Sequence, residues 1–193
     1  MITGLFMAMA FFGIYMSTLS RMIELNFSDS LSLFGIVIGS ATLAGVIQAM
    51  RWSWDPFLAP RFGQLSDRTG RTPFLITALF LGAGCFTILP FRLPLFVWFV
   101  VLLLLQLTWT MIVTLTDSLA TDVASNSYKV PIMTTYTVVV DVGAAMGPTL
   151  GYILSDVFNI SVLYWITGGS LFSLGVFLSF NMSMKEAEKY KLL

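Results

Sequence analysis

GQLSDRTGR, at residues 63–71, is a short run of charged residues and glycine between two long apolar segments. Only 10% of the residues in this chain are charged, so such a run stands out from its surroundings. The apolar segments on either side approach or exceed the roughly 20 residues that a transmembrane helix needs. The run is therefore predicted to be a connection at a membrane surface, and the fold follows from how the apolar segments are arranged around it.

The overall composition agrees with that prediction. Hydrophobic residues make up 57% of the chain and the mean hydropathy is +0.88, which leaves too little polar surface for a water-soluble fold. The net charge is zero, with ten basic and ten acidic residues, so no bulk field favours nucleic acid as a partner. We predict an integral membrane protein whose first partner is the lipid bilayer.

The chain lacks the residues from which most metal and redox sites are built. It has no histidine, and its one cysteine, Cys85, lies in an apolar run, so no disulfide, zinc site or haem site is expected. The spans also lack paired carboxylates and nucleophile motifs. We predict no catalytic residues, no metal, no cofactor and no enzyme activity.

Six apolar segments have the length of a transmembrane helix, which predicts an all-α membrane protein. They cover approximately residues 2–24, 33–61, 73–89, 95–117, 131–155 and 160–180. Residues 1–19 lack the basic start and cleavage pattern of a signal peptide and are read as a retained span. The predicted organisation is one bundle, 1–182, followed by a short charged tail, 183–193.

The basic residues predict the orientation. If residues 63–71 are cytoplasmic, only Arg21 and Arg92 lie outside. The other eight lie on or toward the cytoplasmic side: Arg51, Arg61, Arg68, Arg71, Lys129, Lys185, Lys189 and Lys191. This bias places both termini in the cytoplasm of a multi-pass protein of the cell membrane. The two helix triplets then run in opposite directions, as in an inverted 3+3 repeat.

Two motifs resemble those of the major facilitator superfamily of transporters. GQLSDRTGR resembles the G-x-L-a-D-r-x-G-r pattern found between the second and third helices of a six-helix half in that family. GAAMGPTLG, at residues 143–151, resembles the G-x-x-x-G-P-x-x-G pattern of its antiporters in the fifth helix, although Tyr152 replaces the second glycine of the closing pair. The resemblance covers nearly the whole chain.

The resemblance implies a function. Residues 51–56 and 141–148 look more like a carboxyl-terminal than an amino-terminal half, so the expected partner is a missing amino-terminal half or a second copy. The expected function is transport of a small solute by alternating access, with proton-coupled antiport as its form. The alternative is a non-transporting truncated fragment or a structural membrane subunit.

Within residues 63–71, we single out Gly63, Asp67, Arg68, Gly70 and Arg71. The glycines are predicted to allow turns and close helix approach, and Asp67 to cap or face the N-terminus of a neighbouring helix. The arginines are predicted to bind carboxylates or lipid phosphates. In the family this cluster holds the cytoplasmic side closed. The plainer interpretation is a positively charged surface loop.

In the fifth segment, Gly143 and Gly147 are four residues apart and share one face, which predicts a groove for another helix. Pro148 removes one backbone hydrogen bond, and Gly151 extends the smooth face. Ordinary helix packing and control of leakage across the bundle both use such a surface, and the resemblance favours the second.

Placing a charged side chain inside a transmembrane span is unfavourable in free energy, so charges found there usually have a function or a partner. Arg51, Asp55 and Asp141 are therefore candidates for solute or proton binding. Arg51 and Asp55 are one turn apart and are predicted to pair, either as a packing element or in the cavity. Asp141 lies near the middle of its span. It is predicted to act either as a protonatable coupling carboxylate or as a partner for Arg51.

Weaker polar candidates for the cavity are Gln48, Gln106, Thr108, Trp109 and Thr110, with Trp52 and Trp54 as stacking surfaces. Asp117 and Asp122 lie at the cytoplasmic end of the fourth span. Both are predicted to lie within reach of Arg68 and Arg71, but we expect them to be solvated and not paired.

Overall fold

The computed structural model describes residues 1–27, 30–33, 36–125 and 129–191. For residues 30–33, 36–38, 125 and 185–191 it describes the backbone alone. The described chain forms six long helices. They are α1 Ile2–Phe27, α2 Ser40–Thr69, α3 Arg71–Ile88, α4 Leu95–Ser125, α5 Lys129–Phe158 and α6 Ile160–Lys191. All except α2 are both long and apolar enough to cross a membrane. The predicted helical membrane protein is confirmed to that extent.

The helix starts at Leu95 and Ile160 were predicted correctly, but the start of α2 was not. Instead of a helix from Leu33, a short antiparallel hairpin precedes α2, with strand β1 at Ser30–Leu33 and strand β2 at Ile36–Gly39. Ile36, Val37 and Ile38 are β-branched and favour extended backbone. The expected all-α fold therefore carries one small hairpin, and helix begins only after extended Gly39.

Most of the run at residues 63–71 is helix and not loop. α2 continues to Thr69, and the chain breaks at Gly70, whose φ of 94° is a conformation that favours glycine. Gly63 lies inside the helix, and a Cβ added there would meet no atom within 4 Å. The prediction that Gly63 allows a turn or a close helix approach was wrong, because no residue before Gly70 interrupts the helix.

The other helix ends also extend beyond the predicted spans. α4 runs to Ser125 and α6 runs to Lys191, through most of the predicted tail. The last two residues of that tail, and the side chains of Lys185, Lys189 and Lys191 in the charge argument, lie outside the described residues.

The bundle is organised around α3 and α4. α3 packs along α6 and α4, α1 packs along α5, and α2 packs along α4 and α1. The largest fully buried side chains are aromatic and lie where these helices meet: Trp98, Trp109, Tyr15, Tyr164, Phe11 and Phe86. α5 is the least buried of the five membrane-length helices, so most of its surface faces outward.

Both ends of the described chain lie at the same end of the bundle. An apolar cavity of about 370 Å³ there is lined by Met1 and Thr3, by Thr72 at the start of α3, and by Asn181 and Met182 of α6. We call this the Arg71 end. The cytoplasmic location of both termini stays a prediction.

The glycines of α5 form its contact with α1. A Cβ on Gly147 would overlap the backbone of Gly13, and one on Gly143 would lie 2.5 Å from the carbonyl oxygen of Leu5. Gly151 is in looser contact with Ser17 and neighbouring atoms of α1. The groove predicted from the glycine spacing is thus filled by α1, and the two backbones touch.

We expect Gly147→Ala to lower the free energy of unfolding by about 1–3 kcal/mol, because the methyl group has to push two helix backbones apart. Gly63→Ala is the matched control. Its Cβ enters open space on a helix, where alanine is favoured over glycine by up to about 1 kcal/mol. Denaturant unfolding of the purified protein in detergent, followed by circular dichroism, measures both. Equal effects at the two positions would contradict the close contact.

Candidate functional site

A buried positive charge lies in the middle of α2. Arg51 is 2% exposed, and its Nη2 lies 3.1 Å from Oδ2 of Asp55, one turn further along the helix. The pair expected from the spacing of these residues therefore forms. A buried guanidinium needs such a partner, because an unpaired ion in an apolar bundle is strongly unfavourable.

A second helix supports the carboxylate. Thr110 of α4 donates a hydrogen bond from Oγ1 to Oδ1 of Asp55, so each carboxylate oxygen has a partner. One turn earlier on α4, Gln106 donates from Nε2 to the Tyr15 hydroxyl at 3.2 Å and to the carbonyl of Ile47 at 3.1 Å. These bonds join α1, α2 and α4 into one buried polar cluster.

Aromatic rings surround the guanidinium. Its Cζ lies 3.5 Å from the ring centroid of Trp109, 4.7 Å from that of Trp52 and 5.7 Å from that of Phe12. Cation–π attraction is worth roughly 2 kcal/mol or more where both groups are desolvated, as with buried Trp109, and less with Trp52, which is 55% exposed. The rings therefore provide part of the stabilisation that water would give to an exposed arginine.

The hydrogen bonding of the cluster is incomplete. Among the described residues, Arg51 Nε, Arg51 Nη1, Trp109 Nε1 and Gln106 Oε1 are buried without a hydrogen-bond partner. Buried Trp98 shows the usual arrangement, since its Nε1 donates to the carbonyl of Leu89 at 3.1 Å. Buried polar atoms are nearly always paired, so unpaired atoms in one cluster are a feature to explain.

α1 contributes to the cluster through a segment of unusual geometry. Residues Ala8–Tyr15 form a π-helix, and this segment carries both Phe12 and Tyr15. Phe12 packs edge-on against Trp109 at 5.0 Å. π-helical turns are rare and often occur at functional sites, because the wider turn shifts the side chains that follow it.

A polar cleft of about 480 Å³ lies between α2 and α4. Its lining residues are Asp55, Ala59, Arg71, Thr110, Val113, Thr114, Asp117, Ser118, Thr121 and Asp122. Asp55 and Thr110 form its inner end, so the cleft leads from the Arg71 end of the bundle to the buried cluster. Its volume is in the range of small-molecule sites.

Arg71 connects the helices at the outer end of the cleft. Its Nε and Nη2 each lie 2.9 Å from Asp67 Oδ1 on α2, and its Nη1 binds Asp122 and the carbonyl of Ser118 on α4. We call Arg71, Asp67 and Asp122 the Arg71 clamp. The expectation of solvated charge at Asp122 was wrong, because α4 extends far enough to bring it to Arg71.

Asp67 was expected to cap or face the N-terminus of a neighbouring helix. It does not cap α3, whose N-cap Gly70 has no side-chain cap, but it lies at that N-terminus and binds Arg71, the first residue of α3. Arg68 is exposed on α2 and no contact of its side chain enters the clamp. The charged residues of this run therefore act mainly through Arg71.

Asp141 and Pro148 lie away from the cluster. Asp141 is exposed on the outer face of α5, so the suggested pairing with Arg51 was wrong, and Arg51 pairs with Asp55. The reason is that the Gly143–Gly147 face of α5 is turned toward α1, which directs Asp141 away from it. Pro148 is contained within α5, which continues to Phe158.

Sequence reasoning ranked several cluster residues low or missed them. Gln106, Thr110 and Trp109 were only weak candidates, and Phe12 and Tyr15 were not considered. The available signal was the polar run at residues 106–110 in an otherwise apolar span. No such signal marks α1, because aromatic residues are common in membrane helices.

The cluster and the cleft present groups that can bind a polar ligand. They offer a buried cation, its carboxylate, aromatic faces and unpaired hydrogen-bonding atoms, and the described ranges hold no group of histidine, cysteine or acidic side chains that could bind a metal ion. Comparison with protein-family models, curated proteins and solved structures finds no match for this chain.

We expect Arg71→Ala to widen the separation between the outer ends of α2 and α4, because it removes both ion pairs of the clamp. Spin labels at the exposed positions Gln64 and Val123 report that distance by double electron–electron resonance. The control is Arg68→Ala, which removes a neighbouring exposed charge. A distance distribution that Arg71→Ala leaves unchanged would show that the clamp does not hold the helices together.

Proposed function

We propose that this chain is a six-helix half of a membrane transporter of the major facilitator type, which moves a small solute by alternating access. The observation that carries the proposal is the Arg51–Asp55 pair, buried in an apolar bundle and reached by a polar cleft. Charged groups inside membrane bundles are retained mainly where they bind solutes or ions or pair with each other.

The packing of the helices supports an inverted repeat of α1–α3 and α4–α6. A two-fold axis that relates the triplets exchanges α1 with α4, α2 with α5 and α3 with α6. It therefore maps the α1–α5 contact onto the α2–α4 contact and the α1–α2 contact onto the α4–α5 contact. The α3–α6 contact is mapped onto itself. All five contacts are present. The stronger contact of α3 with α4 than of α6 with α1 departs from that symmetry.

The outer face of α5 supports the need for a second half. Apolar side chains such as Val138, Val142 and Met146 are exposed there, together with Asp141. A carboxylate on the lipid-facing side of a helix is unfavourable. In a two-half transporter this face would border the central cavity instead, where Asp141 meets water, solute or protons.

Reconstitution into proteoliposomes tests the proposal. The chain is reconstituted alone and with a candidate amino-terminal half, and uptake of labelled benzoate, tetraphenylphosphonium and glucose is measured with and without a pH gradient. These probes represent an anion, a lipophilic cation and a neutral solute. Arg51→Gln distinguishes transport through the cluster from leakage. Folded protein that moves none of the probes in either setting would support the alternative, a non-transporting fragment or structural subunit.

Asp141→Asn is expected to abolish the dependence of transport on the pH gradient while leaving folding intact, because the side chain is exposed and makes no contact that the bundle needs. Asp156→Asn is the matched control, since Asp156 is also exposed on α5 but pairs with Arg21 at 2.8 Å. Transport is measured with the pH gradient imposed and collapsed. Unchanged coupling in Asp141→Asn would remove this residue from the mechanism.

A further inference from the structure

Arg51 has two hydrogen-bond donors that the protein leaves without a partner. Nη2 binds Asp55, whereas Nε and Nη1 are buried and have no partner in the part of the chain that the structure describes. The nearby indole Nε1 of Trp109 is a further buried donor without one. The cluster therefore offers more hydrogen-bond donors than the protein itself satisfies.

The surroundings of the guanidinium restrict what can bind it. Trp109 lies against one face at 3.5 Å, and Trp52 and Phe12 are also within cation–π range. A ligand therefore has to approach in the plane of the guanidinium. Carboxylate oxygens suit that approach, because the two groups are planar and can form two parallel N–H···O bonds. Such a pair would use Nη2 together with Nε or Nη1, so a bound carboxylate would compete with Asp55 for Nη2.

We propose that Arg51 is the receptor for the carboxylate of a small organic anion, and that Asp55 is an internal competitor which occupies part of the guanidinium when no anion is bound. The inference rests on the proposed transport function, since it names the substrate class of the same site. Thr110 holds the other oxygen of Asp55 and so keeps the competitor in place.

The charges in the cleft are compatible with this assignment. Three carboxylates line it, but Asp122 binds Arg71, and Asp117 accepts a hydrogen bond from the Tyr136 hydroxyl at 2.6 Å. Asp55 is the one of the three that reaches the buried cluster. Arg51 does not itself line the cleft, so an anion that enters from it meets Asp55 first and reaches the guanidinium by displacing that carboxylate.

Benzoate is a suitable probe because it combines a carboxylate with a ring that can pack against tryptophan. Its binding to the full chain in nanodiscs is measured by isothermal titration calorimetry. Benzyl alcohol and benzylamine, of similar size, represent the neutral and cationic alternatives. We expect benzoate to bind, and benzyl alcohol and benzylamine to bind with at least about tenfold lower affinity.

Variants assign the binding to the pair. Arg51→Gln should weaken benzoate binding by about tenfold or more, and Asp55→Asn should strengthen it by a similar factor because the competitor is gone. Arg21→Gln is the matched control. Arg21 also pairs with an aspartate, but its side chain is 46% exposed and lies near the opposite end of the bundle, so benzoate binding should not change.

Should Asp55→Asn fail to fold, the double variant R51Q/D55N removes both charges together, a change that buried pairs tolerate better than the loss of one partner. Benzoate must then bind the wild-type chain and not the double variant. Benzoate binding that Arg51→Gln leaves unchanged, or preference for benzylamine, would overturn the inference.

The two proposals fail separately in this design. Arg51-dependent benzoate binding to a chain that transports none of the probes would uphold the carboxylate site and contradict the transport function. Uptake of the neutral or cationic probe that is lost in Arg51→Gln, by a chain that does not bind benzoate, would contradict the carboxylate site and uphold transport.

Discussion

The buried charge of Arg51 is the constraint that the centre of the bundle has to satisfy. Removing a guanidinium from water is unfavourable by several kcal/mol even after the protein relaxes around it. The surrounding helices meet this requirement with Asp55, Thr110 and the ring of Trp109. These groups come from α2 and α4, so the charge fixes how the two helices face each other.

The same constraint extends to α1 and through it to α5. The π-helical segment Ala8–Tyr15 places Phe12 and Tyr15 against the cluster, while Gly13 in the same segment touches the backbone of Gly147. No side chain separates the two helices at this contact, so α5 packs directly against the segment of α1 that provides part of the aromatic wall around Arg51. The helix that carries Asp141 is thus one contact away from the buried cluster.

Local signals in the sequence predicted the features that depend on neighbouring residues. The presence and order of the helices followed from apolar runs, the Arg51–Asp55 pair from its spacing of four, and the smooth face of α5 from Gly143 and Gly147. The features that failed depend on distant parts of the chain. Asp122 meets Arg71 because two helix ends extend beyond the apolar spans, and the role of Tyr15 depends on Gln106, 91 residues away. No periodicity within one helix encodes such contacts.

The inner and outer connections between α2 and α4 are separated by the same number of residues on both helices. Asp55 and Asp67 are 12 residues apart on α2, and Thr110 and Asp122 are 12 residues apart on α4, or about 18 Å along each helix. The helices are therefore parallel and in register, joined at both ends of the cleft.

The outer connection is exposed and weak, because water replaces lost partners at a surface. The inner one consists of the Thr110–Asp55 hydrogen bond and the ring of Trp109 against Arg51, so breaking it removes partners from a buried ion pair that lies within α2. Separation of α2 and α4 is consequently favoured to begin at the Arg71 clamp rather than at the inner end.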